Sequence, residues 1–440
     1  MSDTERKSSA TVSRRNSFNK REAGTKKLQP VSSESIKILF LENISEKAVE
    51  IVKNAGYQVE SVSRSLNEEE LIEKIKDVHG IGIRSKTRLN SRVLAAADNL
   101  QVIGCFCIGT NQVDLEYAAS RGISVFNSPF SNSRSVAELI IAEIIMLSRK
   151  LGDRNNEMHA GEWNKVSKKC HEIRGKTVGI IGYGHIGTQL SVLAESMGMK
   201  VIWYDVLPLM PLGRSKSVGS LEELLVKADY VTLHVPETSE TKNLIGEDEI
   251  RMMKKGACLL NASRGTVVDI KALAQALRNG HLAGAAVDVF PQEPFENGKF
   301  FESELAGCPN TILTPHIGGS TEEAQRMIGI EVASAIVGYM NTGASLNAVN
   351  FPEIDLKPGA VSDKHRLRIV NVHQNVPGVL QKINSILSKY NVDKQASDSR
   401  GEIAYYVADI TLPDPEDINV IYAGISGITE NIITRVLFEK

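Results

Sequence analysis

The feature that most constrains this chain is Gly182-Tyr-Gly184-His-Ile-Gly187, set between an apolar strand-like run (177–181) and a helix-like run (188–197). Three glycines at this spacing let a chain turn sharply out of a strand and approach a pyrophosphate closely. They also let the following helix pack tightly on the sheet, with its first N–H groups turned toward an anion. Eighteen residues beyond Gly187, Val201-Ile-Trp-Tyr-Asp205 sets a carboxylate at a strand end. A carboxylate there accepts hydrogen bonds from a ribose 2′-hydroxyl and repels a 2′-phosphate, so the implied cofactor is NAD rather than NADP.

Strands alternate with helices on both sides of this motif. Segments 36–41, 58–62, 80–83, 101–107 and 124–126 read as strands, with helices expected over 48–54 and 68–76. An apolar helix is expected over 136–151, and new strand–helix units run from 176 to 314. Such alternation gives parallel, doubly wound sheets. At 440 residues the chain is long enough for two to three domains of about 150 residues. The helix expected over 322–340 packs most economically on the first domain, which makes that domain discontinuous. The expected division is a substrate-binding domain over 34–131 and 319–350, a Rossmann domain over 132–318 and a linker over 351–365. A small domain over 366–440 follows, with β-α-β-β-α-β order and a ferredoxin-like α+β fold. In it Val379, Leu380, Ile383 and Leu387 are expected on one helix face.

Residues 1–33 carry many Ser, Lys, Arg and Asn and almost no large apolar side chains, the composition of a disordered basic tail. Ser17 follows Arg14-Arg15-Asn16 and is a candidate for phosphorylation. With 51 basic and 53 acidic residues the net charge is −2, which argues against a nucleic-acid partner. The longest apolar run, 139–147, contains Glu143 and is too short for a membrane span. Five cysteines without paired spacing form no disulfide framework, so a reducing, cytoplasmic setting is expected. Cys105 and Cys107 would share a strand face as packing residues rather than as metal ligands.

Three ionisable residues fall just past apolar strands, where α/β proteins place their ligands. Arg264 lies in Asn261-Ala-Ser-Arg-Gly265, Glu293 in Asp288-Val-Phe-Pro-Gln-Glu-Pro294, and His316 in Thr314-Pro-His-Ile-Gly-Gly319. A histidine moves a proton near neutral pH, a buried glutamate beside it raises its pKa and fixes its tautomer, and an arginine clamps an anion.

Together with the glycine turn, these motifs resemble the D-isomer-specific 2-hydroxyacid dehydrogenases. Gly104-Cys-Phe-Cys-Ile-Gly-Thr-Asn111, Pro129-Phe-Ser-Asn-Ser-Arg-Ser-Val-Ala-Glu138 and Ala348-Val-Asn-Phe-Pro352 are similar to the branch that oxidises D-3-phosphoglycerate to 3-phosphohydroxypyruvate. The resemblance covers residues 34 to 440. It implies that Arg264 holds the substrate carboxylate, that His316 is the general acid/base, and that Glu293 is its partner. It assigns NAD contacts to Gly182, Gly184, His185, Ile186, Gly187, Asp205, Ala262, Ser263, Arg264, Asp288, His316, Ile317, Gly318 and Gly319. Arg84 and Ser85 of Ile83-Arg-Ser-Lys-Thr87, with Asn132, match its substrate contacts. Lys86, Arg134 and Lys165 are further cations near these motifs that suit a substrate of about three negative charges.

The segment over 366–440 resembles the ACT amino-acid sensors. His373 and Asn375, in Val372-His-Gln-Asn-Val-Pro-Gly378, match a loop that binds L-serine, and Asp393 stands where that family's asparagine is expected. The resemblance also implies a homotetramer. Two rivals share the scaffold: a reductase of glyoxylate, hydroxypyruvate or 2-oxoglutarate, and a non-enzymatic NAD-sensing corepressor. The cations around Arg84 and Arg134 with the sensor segment disfavour the first; the sensor segment and the lack of a nuclear or DNA-binding signature disfavour the second.

Overall fold

The computed structural model of the chain describes residues 33–294, 298–299, 301–357, 366–414 and 416–438. The expected tail up to residue 32, Ser17 within it, and positions 358–365 of the expected linker lie outside them.

The first unit alternates β1 (Lys37–Leu41), α1 (Glu46–Asn54), β2 (Gln58–Val62), α2 (Glu68–Ile75), β3 (Gly80–Ile83), α3 (Ser91–Ala95), β4 (Val102–Cys105), α4 (Leu115–Ser120) and β5 (Ser124–Phe126). Its five strands are parallel in the order β2-β1-β3-β4-β5. The period of two divides β1 between two cores. Ile38 and Phe40 enter one with Ala48 and Val52 of α1, while Leu39 and Leu41 enter the other with Leu71 and Ile75 of α2. Asn67 begins α2 with a capping box, its side chain accepting from Glu70 N–H while Glu70 accepts from Asn67 N–H.

The second unit opens with α5 (Ser133–Arg149) and α6 (Leu151–His159). The single helix expected over 136–151 is thus two helices. It begins earlier at Asn132 and breaks at Lys150, whose left-handed φ of 55° ends α5. Then follow β6 (Thr177–Ile181), α7 (His185–Ser196), β7 (Lys200–Tyr204), β8 (Lys216–Ser217), α8 (Leu221–Lys227), β9 (Tyr230–Leu233), α9 (Glu247–Met252), β10 (Cys258–Asn261), α10 (Ile270–Arg278), β11 (Gly284–Val287) and β12 (Thr311–Leu313). The seven parallel strands run β12-β11-β10-β9-β6-β7-β8, so the strand order reverses between β6 and β9.

From there α11 (Glu322–Thr342) returns to the first unit, where Ile328, Val332 and Ile336 share a core with Phe40 and Val52. The two crossings between sheets are tied together. Ser128 and Ser131 hydroxyls both donate to the Glu331 carboxylate, the latter at 2.6 Å, and Ser135 meets Thr321 at 2.7 Å.

The third unit contains β13 (Arg366–Gln374), α12 (Val379–Leu387), β14 (Asn391–Arg400), β15 (Ile403–Thr411), α13 (Asp417–Ser426) and β16 (Asn431–Phe438). Its antiparallel order β14-β15-β13-β16 is ferredoxin-like. One face of the sheet is covered by α12 and α13; the other meets Tyr339, Met340 and Phe351. On α12, Val379, Ile383 and Leu387 are buried, whereas Leu380 turns out to solvent, correcting its expected place on the same face. Among the described residues no helix is long and apolar enough to cross a membrane.

Candidate active site

Strand ends of the second sheet bring the glycine turn and the three ionisable residues to one edge. Gly182 follows β6 at φ 91°, and a Cβ there would lie 2.3 Å from the His234 carbonyl at the end of β9. A Cβ on Gly187 would lie 2.2 Å from the Gly182 carbonyl, so only glycine lets α7 start this close to the strand. Gly184, between them, faces open space within 4 Å and caps α7 without a side-chain bond. Here, at the topological switch point, the first N–H groups of α7 have room for a pyrophosphate. His185 opens α7, and its ring stacks on Phe130 from the crossing segment at 3.5 Å between centroids. Asp205, at the end of β7, accepts from Tyr183 N–H at 2.7 Å and Leu207 N–H at 2.9 Å. These residues fit NAD.

On the other side of the switch point, the loop after β10 is set by Asn261. Its Oδ1 accepts from Ser263 N–H (3.1 Å) and Ser263 Oγ (2.9 Å), and its Nδ2 donates to the Arg264 carbonyl (3.0 Å). A Cβ on Gly265 would lie 1.9 Å from the Phe290 carbonyl carbon, so glycine here lets the Arg264 loop close on the Glu293 loop. The Arg264 guanidinium donates to the Ser263 carbonyl at 2.6 Å.

Glu293 Oε2 and His316 Nδ1 stand 2.8 Å apart, and Glu293 Oε1 accepts from Phe290 N–H at 3.1 Å. The bond to Glu293 raises the His316 pKa, against the opposing pull of burial. Burial pushes the Glu293 carboxyl up, but the His316 and Phe290 hydrogen bonds outweigh it and leave the pKa lowered. Both side chains keep solvent access, His316 at 50% and Glu293 at 36%, so Glu293 is exposed rather than buried as expected.

Asp288 lies beneath them, 2% exposed, accepting from Thr314 Oγ1 (2.6 Å), Ile317 N–H (2.8 Å) and Gly318 N–H (2.7 Å). Its carboxylate thereby shapes the 314–318 loop. Behind Asp288, burial pushes the Glu143 carboxyl on α5 up to about 8, with Asp288 adding to the rise, and its Oε1 lacks a partner. The buried Asn132 Oδ1 also has no hydrogen-bond partner among the described residues, and its Nδ2 lies beside Gly319.

Arg84, Ser85 and Lys86 form the loop after β3. Burial pushes the Cys107 thiol up to about 11, while Arg84 from one unit and Arg264 from the other both pull it down. Both arginines thus act on the Cys107 thiol. Cys107 itself lies past the end of β4, correcting its expected place on one strand with Cys105. Its thiol donates to the Gly109 carbonyl at 3.2 Å.

Other expected residues stand apart. Arg134 is exposed and paired with Glu138 one turn on at 2.6 Å. Lys165 lines an open hollow beyond α6 with Arg154, Glu157 and Trp163, with no contact to His316 or Arg84. In the third unit His373 is 2% exposed and meets Asn371 Oδ1 at 2.9 Å, and Asn375 donates to the Gly401 carbonyl at 3.0 Å. Asp393, expected beside the serine loop, lies on β14. It bonds Asn391 and Thr411, and Arg366 beside it begins the strand that ends near His373.

Sequence reasoning missed Asn261, Gly265, Glu42 and Gln112 as site-shaping residues. Only Asn261 and Gly265 had a signal, since both flank Arg264 in the strand-end motif.

Residues 141–318 match the family described as D-isomer specific 2-hydroxyacid dehydrogenase, NAD binding domain. The chain is 58% identical over 419 residues to D-3-phosphoglycerate dehydrogenase 1 of Saccharomyces cerevisiae, covering 93% of this chain and 89% of that one. It is 59% identical over 405 residues to D-3-phosphoglycerate dehydrogenase of Dictyostelium discoideum, covering 92% and 98%. The crystal structure of D-lactate dehydrogenase from Aquifex aeolicus, complexed with NAD and lactic acid, superposes with a TM-score of 0.62 at 28% identity, covering 72% of this chain and 100% of that one. With an NAD-shaped turn, an imidazole–carboxylate pair and an arginine on one sheet edge, the chain belongs to the D-isomer-specific 2-hydroxyacid dehydrogenases.

Proposed function

We propose that the chain oxidises D-3-phosphoglycerate to 3-phosphohydroxypyruvate with NAD, the entry step of serine synthesis. The observation that carries this reading is the His316–Glu293 hydrogen bond, with Arg264 close enough to act on both groups. It agrees with relatives named D-3-phosphoglycerate dehydrogenase at up to 59% identity.

With Nδ1–H donated to Glu293, the Nε2 lone pair of His316 is free to take the proton from the C2 hydroxyl. Arg264 clamps the carboxylate, and Arg84 with Ser85 takes the phosphate. Asn132 is a further substrate contact. Gly182, Gly184, Gly187, His185 and Ile186 hold the pyrophosphate, and Asp205 the adenosine ribose. Ala262, Ser263, Asp288, Ile317, Gly318 and Gly319 border the nicotinamide. Bound NAD supplies the acceptor for the hydride leaving C2.

In this reading residues 34–131 with 319–350 bind substrate, 132–318 bind NAD, and 366–440 sense L-serine. His373 and Asn375 belong to the serine loop with Asp393, and the chain assembles as a homotetramer. The cytoplasm is the compartment, in keeping with five free cysteines.

NADH consumption with 3-phosphohydroxypyruvate, hydroxypyruvate, glyoxylate and 2-oxoglutarate, with and without serine, tests the reading. Preference for the phosphorylated substrate, suppressed by serine, is expected. Equal use of glyoxylate would remove the phosphate assignment of Arg84, and a missing serine effect would remove the sensor.

A further inference from the structure

The first sheet carries a buried carboxylate that none of these steps uses. Glu42 directly follows β1 and is 8% exposed. Its backbone is left-handed at φ 63°, and Asn43 after it is left-handed at φ 56°. Non-glycine residues persist in that region only when their surroundings hold them there.

The side chain supplies that hold. Glu42 Oε1 accepts from Thr87 N–H at 2.7 Å and Arg84 N–H at 3.2 Å, and Oε2 accepts from Lys86 N–H at 3.0 Å. From the opposite side Gln112 Nε2 donates to the Arg84 carbonyl at 2.8 Å. The 84–87 loop is thus gripped at both its donors and an acceptor. Strands β1 and β3 are neighbours at the point where the order β2-β1-β3 reverses, the place where open α/β sheets bind ligands.

Converging backbone N–H groups form a nest that binds anions. Here the nest is already filled by the protein's own carboxylate, so an incoming anion cannot use those donors. Recognition falls to the Arg84 guanidinium and Ser85 hydroxyl, and their position depends on how firmly the loop is held.

We infer that Glu42 is a positioning residue for the distal anion of the substrate, acting by fixing the 84–87 loop that presents Arg84. This rests on the reading that Arg84 takes the phosphate. Glu42 never contacts the reacting atoms in this scheme, so its loss acts on KM more than on kcat.

The test compares Glu42→Gln, which keeps the shape and replaces an acceptor by a donor, with Arg84→Ala. For Glu42→Gln, KM for 3-phosphohydroxypyruvate is expected to rise about tenfold, the effect of one or two weakened charge-assisted hydrogen bonds. The KM for glyoxylate, which has no distal anion, and the dissociation constant for NADH move much less. A KM unchanged for the phosphorylated substrate, or raised equally for both, overturns the inference. If Arg84→Ala leaves the preference for the phosphorylated substrate intact, the Arg84 reading itself fails. If Glu42→Gln does not fold, as judged by NADH binding, amide exchange in the wild-type protein decides instead. The Lys86 and Thr87 amides are expected to be protected without substrate, and exchange at free-loop rates overturns the inference.

Discussion

His316 and Glu293 join the loop after β12 to the loop after β11 through one 2.8 Å contact from Nδ1 to Oε2. The direction of that contact is set below the side chains. His316 has a left-handed φ of 54°, and its N–H donates to the Asp288 carbonyl at 2.7 Å. The Asp288 carboxylate meanwhile holds Ile317 and Gly318. Backbone strain at a histidine is thus sustained by a buried acid, and with Nδ1 turned to Glu293 the Nε2 lies on the far side of the ring from that carboxylate.

Removing the imidazole should remove the proton acceptor and little else. For His316→Ala, kcat should fall by about 10² to 10⁴ while NADH binding stays near normal. Steady-state turnover alongside NADH fluorescence titration checks this. Turnover within a few-fold of wild type would take His316 out of the chemistry.

The pH profile follows from the same contact. Glu293 raises the His316 pKa above its ordinary value of about 6.5. Oxidation needs neutral imidazole, so its rate should climb as pH rises through that raised pKa. Reduction needs the imidazolium and should decline over the same window. In Glu293→Gln the largest cause of the rise is gone, so both limbs should move to lower pH. Profiles of kcat/KM in each direction measure the shift, and an unmoved limb would mean that another group titrates.

Much of this fold is written in local patterns. The glycine turn, the alternation of strands and helices and the returning helix α11 all show in short windows, because each depends on periodicity or on glycine geometry. Residues that act across the chain left no such trace. Glu42 grips amides 42 to 45 positions away, and Asp288 reaches Gly318 30 positions on. Neither distance is encoded by a local pattern. The same limit holds for Asp393, whose motif gives no sign that Arg366 and Thr411 engage it in the folded sheet. Lys150 misled for another reason. A lysine at a left-handed helix end looks like any other helix residue until φ is known.

Cofactor choice should rest on Asp205. Asp205→Ala should weaken NAD binding and narrow the preference over NADP, since the negative charge that repels a 2′-phosphate is lost. Its carboxylate also caps Tyr183 and Leu207 N–H groups, so some weakening of both dinucleotides is expected. The ratio of kcat/KM for the two cofactors isolates the charge effect. An unchanged ratio would assign ribose reading to another residue.

Gly265 offers a test of how the two catalytic loops meet. The Cβ of Gly265→Ala would stand 1.9 Å from the Phe290 carbonyl carbon and 2.2 Å from its oxygen. Backbone cannot yield as a flexible side chain does, so the Arg264 and Glu293 loops must part. Overpacking of this kind costs about 1–3 kcal/mol, and an arginine misplaced by about 1 Å costs on the order of 10² in rate. Expected are a lowered melting temperature and a large fall in kcat/KM, with NADH still bound. Wild-type kcat/KM would show that the loops need not touch.

The third unit is fastened to the catalytic body by charge buried against a helix end. Arg368 and Asp409 pair through two hydrogen bonds at 2.6 and 2.9 Å, with side chains only 6% and 2% exposed. Arg368 also donates to the carbonyl of Thr342, the last residue of α11, at 2.8 Å. Arg435 donates to the carbonyls of Tyr339 (3.1 Å) and Met340 (2.9 Å). Cations thus meet the negative end of the helix that begins three residues past Gly319, which links this interface to the active-site loop. Asp409→Ala leaves the Arg368 guanidinium buried without its carboxylate, an expected loss of about 3–5 kcal/mol. Replacing both partners, Arg368→Met with Asp409→Leu, removes the stranded charge and should recover more than half of that loss. Urea unfolding of the wild type, both single variants and the double variant measures the cycle. A double variant no more stable than Asp409→Ala would mean that the Arg368 contact with α11, rather than its pairing with Asp409, holds the unit in place.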